Sequence, residues 1–223
     1  MLNALIFDFD GLVLDTETPE VEVWQDIYRE HGHDLPVEEW SKTIGGYGIS
    51  TFDPAAHLSG LTGRDAAPLR ADYRLRADTL IHAKPLQPGV LDLIHDGRRH
   101  GLKLAVGSSS PHSWVDTHLA RLGLLHYFDK IICSDDVGPG RTKPNPDIFL
   151  EALNQLRVQK EAAVIFEDSP NGVKAARTAG VFVVAVPNPL TARLGVRNAG
   201  ANLTVNSLAE LSVDTLRELL SRR

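Results

Sequence analysis

Short apolar runs alternate with longer stretches of helical periodicity over most of the chain. Strands are predicted at residues 5–7, 102–106, 130–133, 163–166 and 181–186, with a short edge strand at 202–205. Helical segments with apolar residues three and four positions apart separate these runs, and Gly or Pro marks many of the boundaries. This alternation predicts an α/β fold with a Rossmann-like parallel sheet core, covered by helices on both faces.

The segment after the first strand has a different pattern. Helices are predicted at residues 21–28, 35–44 and 64–81, and no strand pattern appears from Thr18 to Ala83. A Pro-rich stretch at residues 84–89 then leads back to the alternating pattern. We therefore expect a core of residues 1–15 and 87–223 and an inserted α-helical cap domain of residues 16–86, with hinges at the two crossings.

Composition narrows the class of protein. The 223 residues are 43% hydrophobic and 23% charged, with a net charge of -6 and no basic stripe, so we expect a globular protein that binds no nucleic acid. No apolar run approaches the roughly 20 residues that cross a bilayer, and no N-terminal targeting pattern is present. The single cysteine, Cys133, lies in an apolar run and is interpreted as a core residue. We expect a cytoplasmic monomer that does not bind membranes.

Polar residues follow four of the predicted strands. They are Asp8 and Asp10, Ser108, the loop at residues 134–143, and Glu167 with Asp168. A buried charge without a partner costs on the order of several kcal/mol, so carboxylates at these positions indicate an ion or a reacting group nearby. Ligands of open α/β sheets bind outside the carboxyl ends of the strands, and we expect these residues to meet there.

Four sequences at these strand ends resemble the motifs of the haloacid dehalogenase-like superfamily. They are Asp8-Phe9-Asp10-Gly11, Ser108, Lys143-Pro144-Asn145-Pro146-Asp147 and Glu167-Asp168-Ser169-Pro170-Asn171-Gly172. The helical insert directly after the first motif resembles the subclass I cap of that superfamily. The resemblance covers nearly the whole chain and is closest to the branch that holds small-metabolite phosphatases and beta-phosphoglucomutase.

The resemblance implies roles for the carboxylates. Asp8 would be the nucleophile and would form an aspartyl phosphate, a chemistry open to carboxylates in general. Asp10 would protonate the leaving oxygen and then take a proton from water. The cofactor would be Mg²⁺, held by Asp8, Asp168 and the main-chain carbonyl of Asp10, with Glu167 in an outer position.

The remaining candidates bind phosphate or substrate. The resemblance places Lys143, the Ser108 hydroxyl and the backbone N–H of Ser109 on the phosphoryl oxygens, and we interpret Ser110 as a helix cap. Tyr47, in a Gly-rich loop, is the cap residue that we expect to contact substrate. Three arginines of one predicted cap helix are interpreted as exposed ion pairs: Arg70, Arg74 and Arg76.

These features favour a Mg²⁺-dependent phosphatase that hydrolyses a small phosphorylated metabolite, such as a sugar phosphate. A sugar-phosphate mutase of the beta-phosphoglucomutase type is the alternative. The stretches Thr18–Glu20 and Gly45–Gly48, which would carry its cap His and Arg, contain neither. A non-catalytic relative ranks lower because the catalytic set is intact. Asp10 and Asp168 argue against dehalogenation, since the dehalogenases lack an acid at the position of Asp10 and need no metal.

Overall fold

A computed structural model describes residues 1–44, 51–193 and 196–222. Its strands are β1 Ala4–Phe7, β2 Lys103–Gly107, β3 Lys130–Ile132, β4 Ala163–Glu167, β5 Phe182–Ala185 and β6 Leu203–Thr204. They form one six-stranded sheet with the order β3-β2-β1-β4-β5-β6, and every neighbouring pair is parallel. The α/β class and the Rossmann-like sheet predicted from the alternating pattern are confirmed.

Helices occupy both the sheet connections and the insert. The described α-helices are α1 Glu17–Glu30, α2 Val37–Ser41, α3 Pro54–Thr62, α4 Ala66–Ala83, α5 Val90–Arg99, α6 His112–Arg121, α7 Ser134–Val137, α8 Asp147–Leu156, α9 Pro170–Ala179, α10 Pro189–Arg193 and α11 Val213–Ser221. Short 3-10 helices lie at Leu125–Tyr127, Lys160–Ala162, Val196–Asn198 and Leu208–Glu210. None of the described helices combines the length and the apolar character needed to cross a bilayer.

β1 lies inside the sheet and is buried on both faces. Leu5 and Phe7 belong to one apolar cluster, whereas Ala4 and Ile6 belong to a second cluster on the other face. This division follows from the alternation of side chains along a strand. In the register of the sheet, Phe7 pairs with Val106 of β2 and Phe166 of β4. The residues just beyond these three strands therefore lie side by side.

The described part of the insert is helical, with α1 packed on α4. Trp24 stacks on Tyr73 with ring centroids 4.4 Å apart. The helix predicted at residues 35–44 is shorter than expected and covers Val37–Ser41, and α3 was not predicted. The start signal of α3 was present, because the Asp53 side chain caps it and Pro54 occupies its first turn.

The two crossings between insert and core run next to each other. Leu14 forms an antiparallel bridge with Leu86, and the N–H of Gln87 donates to the carbonyl of Val13 at 3.1 Å. Lys84 and Asp15, one from each crossing, form an ion pair at 3.1 Å. These contacts position the helical insert above the carboxyl end of β1.

Candidate active site

The turn after β1 brings the first motif against the fourth. The N–H of Asp8 donates to the carbonyl of Phe166 at 3.0 Å, so Asp8 extends the pairing of β1 with β4. Gly11 then adopts a φ of 79°, and a Cβ atom at this position would lie 2.1 Å from Oδ2 of Asp168. Only glycine permits both this φ and this approach, and the loop can therefore lie directly against Asp168.

Lys143 is an ammonium buried between two carboxylates. Its side chain is 1% exposed, with Nζ 2.5 Å from Oδ1 of Asp8 and 2.6 Å from Oε1 of Glu167. Nζ also lies 5.0 Å from the ring centroid of Phe149. Burial lowers the pKa of Lys143, but the charges of Asp8 and Glu167 outweigh this effect and raise that pKa above its ordinary value. Lys143 is therefore a permanent cation beside Asp8.

Three buried carboxylates lie around this single ammonium. Asp8, Glu167 and Asp168 each offer an oxygen, and these oxygens lie within 4.8 Å of one another. Burial, followed by the charge of Glu167, raises the pKa of Asp8 to about 8. Burial, followed by the charge of Glu17, also raises the pKa of Asp168. With three acids and one base, the cluster lacks the positive charge that would keep all three acids ionised.

The unbalanced charge and the free oxygen of the cluster fit a divalent cation. Oδ2 of Asp168 accepts a hydrogen bond from Asn188 at 2.8 Å, whereas no group of the described residues donates to its buried Oδ1. The oxygens of Glu167 contact Lys143 and Ser169. An all-oxygen donor set with excess negative charge is the environment that Mg²⁺ prefers. Asp8 and Asp168 fit as ligands, and Glu167 fits as an outer support.

The Asp10 carboxylate is held by donors from several elements. Oδ1 accepts from the hydroxyl of Thr16 at 2.9 Å and from the indole N–H of Trp114 at 2.8 Å. Oδ2 accepts from the hydroxyl of Ser110 at 2.6 Å and from that of Ser108 at 3.3 Å. The side chain of Asp10 thus points towards the N-terminal end of α6.

The interpretation of Ser110 as a helix cap is wrong. The cap position of α6 is Pro111, with no side-chain capping hydrogen bond, and the Ser110 hydroxyl bonds Asp10 instead. The hydroxyl is free for this contact because α6 begins one residue later than a Ser110 cap requires.

A cavity of about 650 Å³ opens over the site. Core residues that line it include Asp8, Asp10, Ser108, Ser109, Trp114 and Lys143. The insert contributes Glu17, Glu20, Trp40, Thr43, Ile44 and Arg74. The hydroxyl of Ser109 is buried without a hydrogen-bond partner among the described residues. Tyr47, the predicted substrate contact, lies outside the described residues.

The prediction that all three cap arginines form exposed ion pairs is wrong for Arg74. Arg70 pairs with Asp53, and Arg76 pairs with Glu30 and Asp72, as expected. Arg74 instead lines the cavity and pairs with no acid of the described residues. The three arginines look alike in sequence, and only the packing of α4 separates them.

Asn188 and Glu17 are site residues that the sequence interpretation overlooked. Asn188 donates to Asp168 at 2.8 Å and to Glu17 at 3.4 Å. Asn188 follows β5, so the rule that pointed to the other strand ends would also have found it. Glu17 lies in the polar cluster after the first motif, where the sequence offers no sign of its burial.

Several known proteins are similar to this chain in sequence or in structure. The Bacillus subtilis protein YhcW, whose name describes it provisionally as a phosphatase, is 39% identical over 223 residues, covering 99% of each chain. The fructose-1-phosphate phosphatase YqaB of Escherichia coli is 33% identical over 189 residues, covering 82% of this chain and 95% of YqaB. A CbbY mutant from Rhodobacter sphaeroides with bound xylulose-1,5-bisphosphate is 28% identical, with a TM-score of 0.72 and coverage of 95% of this chain and 96% of CbbY.

A family model agrees with these likenesses. The model described as haloacid dehalogenase-like hydrolase matches residues 5–186, which contain all four strand-end sequences and the insert. Because this match spans well over half of the chain, the protein belongs to the haloacid dehalogenase-like hydrolase family.

Proposed function

We propose that this protein is a Mg²⁺-dependent phosphatase that hydrolyses small phosphorylated metabolites, with sugar phosphates as the substrate class. The observation that carries the proposal is the cluster of Asp8, Glu167 and Asp168, whose oxygens lie within 4.8 Å of one another beside the buried Lys143. The relatives support the substrate class, since one is named a fructose-1-phosphate phosphatase and another binds xylulose-1,5-bisphosphate.

Asp8 is the proposed nucleophile. An oxygen of Asp8 forms a bond to phosphorus while the bond from phosphorus to the ester oxygen breaks, and Asp10 transfers a proton to that oxygen. Water then attacks the phosphorus of the aspartyl phosphate, the bond between phosphorus and the Asp8 oxygen breaks, and Asp10 takes a proton from the attacking water. The second step releases inorganic phosphate and restores both acids to their starting states.

The remaining groups bind phosphate and metal. Lys143 and the serines Ser108 and Ser109 bind the phosphoryl oxygens from the core side of the cavity. Asp8, Asp168 and the main-chain carbonyl of Asp10 would hold Mg²⁺, which supplies positive charge against the charge of the transferring group. Glu167 stays outside the ligand set because it orients Lys143. The insert covers the cavity and excludes bulk water during transfer.

The isosteric change Asp8→Asn tests the nucleophile. We expect a fall of about a thousandfold or more in kcat for phosphate release from fructose 1-phosphate, because an amide cannot attack phosphorus. Asp26→Asn is the matched control, since Asp26 is exposed and its ion-pair partner is Arg29 of the same helix, α1. Unchanged turnover in Asp8→Asn, with a thermal midpoint close to that of the parent, would refute the assignment.

A sugar-phosphate mutase remains the second candidate because Arg74 puts a cap cation on the cavity. A mutase must bind a bisphosphate intermediate, and a cation on the cap favours such binding. Supplying beta-glucose 1-phosphate with a bisphosphate activator separates the two activities. We expect free phosphate as the main product, whereas glucose 6-phosphate would establish the mutase.

A further inference from the structure

The indole of Trp114 contacts the proposed proton carrier directly. Trp114 belongs to the first turn of α6, lines the cavity, and donates from Nε1 to Oδ1 of Asp10 at 2.8 Å. The other donors to the Asp10 carboxylate within the described part of the chain are hydroxyls, which rotate and also accept hydrogen bonds. An indole N–H only donates, and its direction is set by the plane of the ring. Trp114 is thus the donor with the most restricted direction.

The ring of Trp114 packs against His118, one turn further along α6. Its centroid lies 4.3 Å from that of His118, and the two planes meet at 70°. His118 is 2% exposed, and its Nδ1 accepts a hydrogen bond from Arg121 at 3.0 Å. Arg121 also donates to the carbonyl of His82, in the last turn of α4, at 3.1 Å. A continuous series of contacts therefore runs from Asp10 through the core helix α6 to the insert.

We propose that Trp114 is a positioning residue that directs the Asp10 carboxyl group towards the leaving oxygen of the substrate. This inference rests on the acid–base role proposed for Asp10. A general acid must lie within hydrogen-bond reach of the atom that it protonates, and a correctly placed one contributes about 10²–10⁴-fold to the rate. Without the indole, Oδ1 keeps, among the residues that the structure describes, only the rotatable Thr16 hydroxyl as a donor, and the carboxyl group samples a wider range of directions.

The variant Trp114→Phe removes the N–H and retains an aromatic ring against His118. It is assayed with fructose 1-phosphate, whose leaving alcohol needs a proton, and with p-nitrophenyl phosphate, whose leaving phenolate does not. The value of kcat/KM reports all steps through release of the alcohol or phenol. We expect kcat/KM to fall about tenfold for the sugar ester and less than about twofold for the aryl ester. The tenfold fall is smaller than the full contribution of a general acid, because Asp10 itself is still present.

The ratio of the two kcat/KM values decides the result. Both esters are assayed on one preparation, so any inactive fraction lowers the two values equally and leaves the ratio unchanged. An equal fall for both esters, or no fall for either, would overturn the positioning role. Trp24→Phe is the matched control, because Trp24 stacks on Tyr73 inside the insert, and it should leave the ratio at the parent value.

Failure of the proposed function has a different signature. If the parent protein releases phosphate from neither ester, or if Asp8→Asn retains its turnover, the phosphatase mechanism fails before Trp114 is considered. If the parent is an Asp8-dependent phosphatase and the ratio in Trp114→Phe is unchanged, only the role of Trp114 fails.

Discussion

The core and the insert line one cavity, but their charged residues are held in different ways. In the core, Lys143 is 1% exposed and Glu167 is fully buried, at a separation of 2.6 Å. In the insert, Arg76 and Glu30 form an equally short pair at 2.6 Å, with side chains 38% and 49% exposed. Water therefore screens the Arg76–Glu30 pair and leaves the Lys143–Glu167 pair to interact almost unscreened.

This difference indicates which charges the fold depends on. A buried ion that loses its partner keeps its desolvation cost, whereas an exposed ion regains water. The charges of Asp8, Lys143 and Glu167 are thus linked to one another, and a change in one disturbs the others. Exposed charges of the insert, such as Arg74 on the cavity, can be exchanged at little cost to folding and with the proposed catalytic groups in place.

Metal removal should have the largest effect on the core. We expect dialysis against EDTA to lower phosphate release by at least about a hundredfold, because three buried acids then face the phosphate with one ammonium to balance them. Added Mg²⁺ should restore the parent activity. It should not restore Asp168→Asn, which lacks a proposed ligand. Full turnover of the parent protein in EDTA would contradict the metal assignment.

Lys143→Met should damage both stability and activity. The change leaves Asp8 and Glu167 buried without their cation, and breaking a buried pair in this way costs about 3–5 kcal/mol. Urea denaturation, monitored by circular dichroism, measures the free energy of unfolding. A loss of unfolding free energy below about 1 kcal/mol would show that water or ions replace the ammonium. The buried pairs of the core would then matter for stability little more than the exposed pairs of the insert.

Gly172→Ala tests how tightly the core acids are enclosed. A Cβ atom at position 172 would lie 1.9 Å from the carboxyl carbon of Glu167. We expect a cost of about 1–3 kcal/mol in the free energy of unfolding, because overpacking forces the carboxylate away from Lys143. Gly60→Ala on α3 is the matched control, as nothing lies within 4 Å of its added Cβ. An equal loss of unfolding free energy in the two variants would contradict the close packing around Glu167.

Arg76→Ala in the insert should have the smallest effect. Its pairs with Glu30 and Asp72 are exposed, and such pairs contribute about 0–1 kcal/mol each. We expect unchanged turnover and a correspondingly small loss in the free energy of unfolding. A loss as large as that of Lys143→Met would show that the insert depends on its charges as strongly as the core does.

Local patterns were sufficient to predict most of the sheet and its connections. The predicted strands agree with the observed ones to within one residue at each end, and the helix predicted at residues 64–81 is α4, Ala66–Ala83. Such elements are readable because periodicity, glycine boundaries and caps act over a few neighbouring residues. The meeting of strand-end acids was also predictable, because parallel strands present their carboxyl ends along one edge.

Contacts between distant segments could not be predicted. The hydrogen bond from Trp114 to Asp10 joins residues 104 positions apart, and nothing in the sequence near either residue indicates the contact. Arg74 shares its helix and its residue type with Arg70 and Arg76, yet it alone of the three lines the cavity. The sequence by itself determined the order of strands and helices and the acids at the strand ends. Only the tertiary structure decided which side chains surround those acids, because that depends on how helices from separate parts of the chain pack over one sheet edge.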